Sequence, residues 1–170
     1  MEPKKPSESL AVTTKVVLPN ETNTLGKLFG GALLAWMDEI AAVSAHRHSK
    51  QVVVTSTINN VSFQLPIDLG AIVTLEAKVS RAFRSSMEVV IDVMIEDRET
   101  GEQVSSNQAI YTFVAVDKDG KSIPVPPIEP ETEEEKRRYD SALRRRQLAL
   151  ILAGRLKPQE ATELRAIFDA

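Results

Sequence analysis

The chain has 170 residues, 42% hydrophobic and 26% charged, proportions that fit one globular domain able to bury a full core without staples. With 21 Lys and Arg against 24 Asp and Glu, the formal net charge is -3, which gives no broad electrostatic claim on nucleic acid. The absence of cysteine excludes disulfides, thiolate metal sites and a cysteine nucleophile, and no apolar run approaches the roughly 18 residues of a membrane span.

Residues 1–10 are polar, lack the apolar stretch of a secretory signal, and are expected to be disordered. Ala11 to Leu18 is a short β-prone run. Pro19 to Asn23 supplies turn formers, and the loop continues to Phe29, Gly30 and Gly31. From Ala32 the chain turns to strong helix formers without Gly or Pro, apolar on nearly all sides. This predicts a buried helix of about 15–17 residues ending near Arg47, His48 and Lys50. Val52 to Phe63 is β-branched. Ile72 to Ser80 alternates, 81–85 can form a hairpin loop, and Met87 to Asp97 alternates again. Val104 to Val116 is the longest predicted strand, closed by a turn at Asp117 to Gly120.

One strand, one buried helix and four further strands predict an α+β domain over residues 11–120. The later strands follow one another through short turns, as in an antiparallel meander. A sheet of about five strands curling around the helix would cover its apolar surface, or a partner subunit would cover what the sheet does not. Residues 121–130, with Pro124, Pro126, Pro127 and Pro130, read as an extended linker. Residues 131–170 read as a helical tail that starts acidic and turns basic, either packed on neighbouring subunits or solvated. Arg144 to Arg146 is expected to be a solvated helix end rather than a nucleic-acid contact.

The two histidines, His46 and His48, lie two apart and point to different faces of the helix. They read as solvated cations near its C-terminus, not as a metal pair. No nucleophile elbow, Walker loop or dinucleotide fingerprint is present. Any catalysis therefore falls to carboxylates, amides, hydroxyls and backbone donors. Asp38 has only apolar residues at three and four positions either side (Leu34, Ala35, Ala41 and Ala42), which makes it a candidate general base or nucleophile. Glu39 is its rival, and periodicity barely separates them. Asn23 reads as a turn former or a side-chain cap. Gly30 and Gly31 open the helix, where free amides bind a developing oxyanion and the missing Cβ allows close approach. Arg84, Ser85 and Ser86 in the hairpin loop suit a phosphate, with Arg81 and Lys27 as weaker candidates. Thr55, Thr57, Asn59 and Asn60 make the second strand unusually polar and either line a site or face water.

The run from Thr22 to Glu39, with Thr22-Asn23, Phe29-Gly30-Gly31 and Met37-Asp38, resembles the acyl-CoA hydrolase branch of the hotdog-fold thioesterases. So do Val53 to Thr55, Phe63, Gly70, Arg84 to Glu88 and Phe113 to Asp117, and the resemblance covers roughly 11–130. It implies a hotdog fold, a sheet wrapped around one long helix, whose domains pair with their sheets joined, often as hexamers. The implied activity is hydrolysis of acyl-CoA to free fatty acid and coenzyme A, by a cytoplasmic enzyme without metal or cofactor; the charge and the apolar run lengths above add no nucleic-acid partner and no membrane span. It puts the catalytic acid at Asp38, with Asn23 opposite it from the partner domain and Glu39 in a supporting role. Gly31, with Gly30, would supply the oxyanion amide, and Arg84, Ser85 and Ser86 would bind coenzyme A. Leu33, Trp36 and Met37 would shape the acyl pocket. The alternative is a non-catalytic acyl-CoA-binding sensor or interaction module.

Overall fold

The computed structural model describes residues 1–59, 61, 65–97 and 100–167. Five strands, β1 (Ala11–Val16), β2 (Val52–Asn59), β3 (Ile72–Ala82), β4 (Ser86–Glu96) and β5 (Gln103–Val116), form one antiparallel sheet in the order β1-β3-β4-β5-β2. β3, β4 and β5 are the expected meander. β2 departs from it: instead of lying beside β3 it pairs with β5 at the far edge, because β1 occupies the open side of β3, with Ala11 opposite Ala77.

The alternation of β3 to β5 decides the two faces of the sheet. Val73, Leu75, Ala77 and Val79, with Val89, Ile91, Tyr111 and Phe113, point inward and are fully buried or nearly so. α1 (Gly30–Ser49) lies on that face and contributes Leu33, Trp36, Met37, Ile40, Ala41 and Ala45 to the core. It ends at Lys50 in the left-handed conformation (φ 57°), whose amide donates to His46 O. The sheet covers only part of the helix. Gly31, Ala35, Glu39, Val43 and Arg47, spaced four apart, form a stripe that stays exposed in the single chain.

The outer face carries polar residues, and α2 (Glu133–Leu152) docks on it. Thr132 caps α2 in a reciprocal pair with Glu135. Arg145 donates to both oxygens of Glu88 at 2.9 and 2.8 Å, and Arg138 does the same to Asp92 at 2.7 and 3.2 Å. The Arg81 guanidinium stacks 3.8 Å from the Tyr139 ring and donates to its carbonyl. α2 is thus not a solvated helix; it covers its own sheet. Arg145 and Arg146 are partly buried contacts, not a solvated helix end.

Two other expectations are corrected. Pro6–Ser9 forms a 3-10 turn rather than a disordered start. The Ser9 hydroxyl, fully buried, accepts the Val79 amide at 3.0 Å, and Lys4 exchanges backbone hydrogen bonds with Pro127 and Glu129. Composition does not show such long-range pairing. His48 is not a solvated cation: it is fully buried, with Nε2 2.7 Å from Pro126 O, and burial lowers its pKa. His46 is exposed, with Nδ1 2.9 Å from Gln51 O. No helix among the described residues is long and apolar enough to cross a membrane.

Candidate active site

Asp38 lies in the middle of α1, partly exposed, and turns toward β2. There the Thr55 hydroxyl donates to Asp38 Oδ1 at 2.8 Å. Thr55 is aimed by its strand. It shares the inward face with Val53, opposite Phe113, and the register breaks at a bulge between Thr55 and Thr57. With Oδ1 held, Oδ2 is the carboxylate oxygen left for water or substrate. Tyr111 closes the floor beneath. Its hydroxyl donates to Leu34 O at 3.0 Å, and burial together with the Asp38 charge pushes its pKa up to about 12. Tyr111 therefore stays a neutral donor.

Glu39 points the other way. It is exposed and pairs at 3.5 Å with Lys15 of β1, whose ammonium also sits 5.0 Å from the Trp36 ring centroid. Position relative to β2, which periodicity could not supply, separates the two acids.

Asn23 organises its own loop. Its Oδ1 accepts the amides of Leu25 at 2.9 Å and Lys27 at 3.1 Å. The capping role read from sequence is thus present, and it has a chemical consequence: with the oxygen engaged, the carboxamide presents Nδ2, a donor. Asn23 lines an open hollow with Gly30, Leu33, Leu65, Ile67 and Asn107. The first backbone bond of α1 runs from Leu33 N–H to Phe29 O at 3.1 Å, so the amides of Gly30, Gly31 and Ala32 precede the ladder. Gly31 is exposed, and a Cβ built there meets nothing within 4 Å. Packing within the chain does not require glycine at that position.

The hairpin candidates divide. The loop is shorter than expected, 83–85, because β3 continues to Ala82. Ser85 and the buried Ser86 line a groove on the outer face, whereas Arg84 stands exposed at the tip with its carbonyl accepting the Val125 amide. Arg81 is engaged by Tyr139, and Lys27 by an ion pair with Asp68. Of the acyl-pocket residues, Trp36 and Met37 are buried in the core, and only Leu33 reaches the hollow. Thr57 and Asn59 line the outer groove; Asn60 and Phe63 lie outside the described residues. Sequence reasoning left Thr55 between lining a site and facing water; its inward register with Val53, which would put it in the site, was the available signal. Among the described residues no group of three or more His, Asp or Glu could hold a metal.

Residues 25–102 match the family model of the thioesterase superfamily. The chain is 42% identical over 138 residues to the uncharacterized acyl-CoA thioester hydrolase YkhA of Bacillus subtilis, covering 81% of this chain and 80% of that one. An acyl-CoA hydrolase from Staphylococcus aureus, solved with butyryl coenzyme A and coenzyme A, superposes with TM-score 0.83 at 39% identity, over 89% of this chain and 94% of the other. A hexameric acyl-CoA thioesterase superposes with TM-score 0.86 at 40% identity, over 90% and 98%. Solved variants of the Staphylococcus enzyme carry alanine for an asparagine, for an aspartate fifteen positions later, and for a threonine seventeen beyond that. Asn23, Asp38 and Thr55 stand at the same intervals. Sequence and fold together place this chain in the thioesterase superfamily, among the acyl-CoA thioester hydrolases of the hotdog fold.

Proposed function

We propose that the protein hydrolyses acyl-CoA to a free fatty acid and coenzyme A at a site that two copies share. The observation that carries the reading is the Thr55–Asp38 hydrogen bond: it fixes one carboxylate oxygen and leaves the other open beside an edge strand. Asp38 takes a proton from the attacking water or attacks the thioester carbonyl itself. Asn23 Nδ2 and the Gly31 amide donate to the oxygen on which charge develops. No metal or redox cofactor enters this chemistry. The open, braced carboxylate favours turnover over a sensor that only binds.

Helix geometry supports a shared site. Gly31 and Asp38 are seven residues apart on one face of α1, which corresponds to about 10 Å of axial rise. Reacting atoms and oxyanion donors sit only about 3 Å from the carbonyl they act on. Asp38 of one copy therefore works with Asn23 and Gly31 of another. The uncovered stripe of α1 and the exposed Val52, Val54 and Ile58 of β2 are apolar surface for that pairing. Further assembly to a trimer of dimers agrees with the hexameric relative. In this account residues 11–120 are the catalytic domain, 121–130 the linker and 131–170 the tail, and the enzyme works in the cytoplasm. The test is release of free thiol from acyl-CoA. Asp38→Asn should lower turnover by about two orders of magnitude or more with the oligomer unchanged on light scattering. Near-normal thiol release by that variant rules the assignment out.

A further inference from the structure

The groove on the outer face of the sheet is not part of the site just described. It lies between β2 and β5, the hairpin at 83–85 and the C-terminal half of α2, and its volume, about 370 Å³, falls within the range of small-molecule clefts. Glu88 and Arg145 form its floor and neutralise each other, with Ser80 donating to Glu88 at 2.7 Å. Two further arginines are left over. Arg146 is partly buried, with its guanidinium 4.3 Å from the Phe83 ring centroid, and among the described residues its one side-chain hydrogen bond goes to Ser86 Oγ at 3.2 Å. Among the described residues no carboxylate lies within ion-pair distance of Arg146 or of Arg155. Burial alone lowers the Arg146 pKa, and at neutral pH the guanidinium keeps its charge. Arg138 differs: burial is outweighed by Asp92 and Glu134, which raise it.

A partly desolvated cation without a counter-ion is costly unless an anion completes it. The Phe83 ring beside the guanidinium takes none of its N–H donors, which leaves most of them for bidentate contact with phosphate. Arg155 is brought to the same groove by the end of α2. Gly154 takes a left-handed conformation (φ 68°), and the Arg155 amide turns back to Leu150 O at 2.8 Å. Ser85 and Thr57 add hydroxyls. The net lining is cationic, aromatic and hydroxyl-bearing, which is the chemistry of a phosphorylated nucleotide. β2 links the groove to the acid: Thr55 meets Asp38 on the inner face, and its neighbours Ser56 and Thr57 line the groove on the outer one.

We propose that Arg146 and Arg155 of the C-terminal tail bind the phosphates at the nucleotide end of coenzyme A in this groove, an assignment that rests on the acyl-CoA reading above. The tail then serves as part of the substrate site as well as cover for the sheet. The test compares acyl-CoA with the matching acyl-pantetheine thioester, which lacks the phosphates. Arg155→Ala, exposed and beyond the end of α2, keeps the fold; Arg146→Ala is paired with Arg146→Lys, which keeps the charge. Each alanine variant should raise KM for acyl-CoA about tenfold, leave kcat within about twofold, and leave KM for acyl-pantetheine unchanged, with Arg146→Lys intermediate. Inorganic pyrophosphate should compete with acyl-CoA in the wild type and lose potency in the alanine variants. Equal shifts for both substrates, or none for either, overturn the proposal. So does loss of pyrophosphate inhibition without a change in KM for acyl-CoA, which would leave an anion site unconnected to substrate. Failure of the wild type to hydrolyse either thioester would instead remove the acyl-CoA reading on which the proposal stands.

Discussion

Replacing Arg145 with methionine tests how the tail is held. Glu88 is 4% exposed and accepts two hydrogen bonds from Arg145 and one from Ser80. The substitution leaves a carboxylate under α2 with a single hydroxyl partner. Breaking a buried pair on one side costs about 3–5 kcal/mol. The Arg145 side chain is 28% exposed, so water partly relieves the loss and the low end, about 3 kcal/mol, applies. With a urea slope of about 2 kcal/mol/M, the unfolding midpoint should fall by about 1.5 M, measured at fixed protomer concentration because assembly contributes to stability. Removing both charges in Glu88→Met with Arg145→Met should return stability to within about 1 kcal/mol of the wild type, since no unpaired charge remains and Ser80 keeps its bond to Glu88 O. A single variant as stable as the wild type would refute the claim that this pair anchors the tail. A double variant as unstable as the single would show that lost packing, not the stranded carboxylate, carries the cost.

Two further outcomes follow from the geometry. Gly31→Ala should leave the fold intact or stabilise α1 by up to about 1 kcal/mol, because its Cβ meets nothing within 4 Å, yet lower thiol release about tenfold or more by crowding the oxyanion amide; unchanged turnover contradicts the role given to Gly31. His48 should make stability depend on pH. Its folded pKa lies below the ordinary 6.5, so the unfolded chain takes up the proton first. The stabilisation is whole above pH 6.5 and declines as pH falls from there toward the folded value. The melting temperature should therefore be lower at about pH 5.5 than at about 7.5, and His48→Gln, which keeps a donor toward Pro126 O, should flatten the difference.

What the sequence disclosed and what it hid have physical causes. The alternation of Val73 to Val79 and of Met87 to Ile95 reports a sheet with one buried face, and the apolar run from Ala32 reports a helix against it, because burial acts on local periodicity. The choice between Asp38 and Glu39 was not legible from periodicity. Adjacent helical residues differ by only 100°, and the deciding partners, Thr55 and Lys15, lie on strands from opposite edges of the sheet. The docking of the tail was hidden for the same reason: Glu88 looks like any outward-facing polar residue until Arg145, 57 positions later, closes over it. His48 was misread because its burial is created by Pro126 and Lys4, one on each flank of the chain. The Asn23 cap was legible because its partners, Leu25 and Lys27, are local.

The central claim is an active site built from Asp38 of one copy and Asn23 of another, and subunit mixing tests it most directly. Asn23→Asp keeps the oxygen that organises the loop and removes the Nδ2 donor; Asp38→Asn removes the acid. Each variant alone should be almost inactive in thiol release from acyl-CoA. When the two are co-expressed in equal amounts, about half of the dimers contain one of each, and each such dimer carries one intact site of its two. The account predicts recovery of about a quarter of wild-type activity. Mixed protein no more active than the separate variants would contradict a site shared between copies.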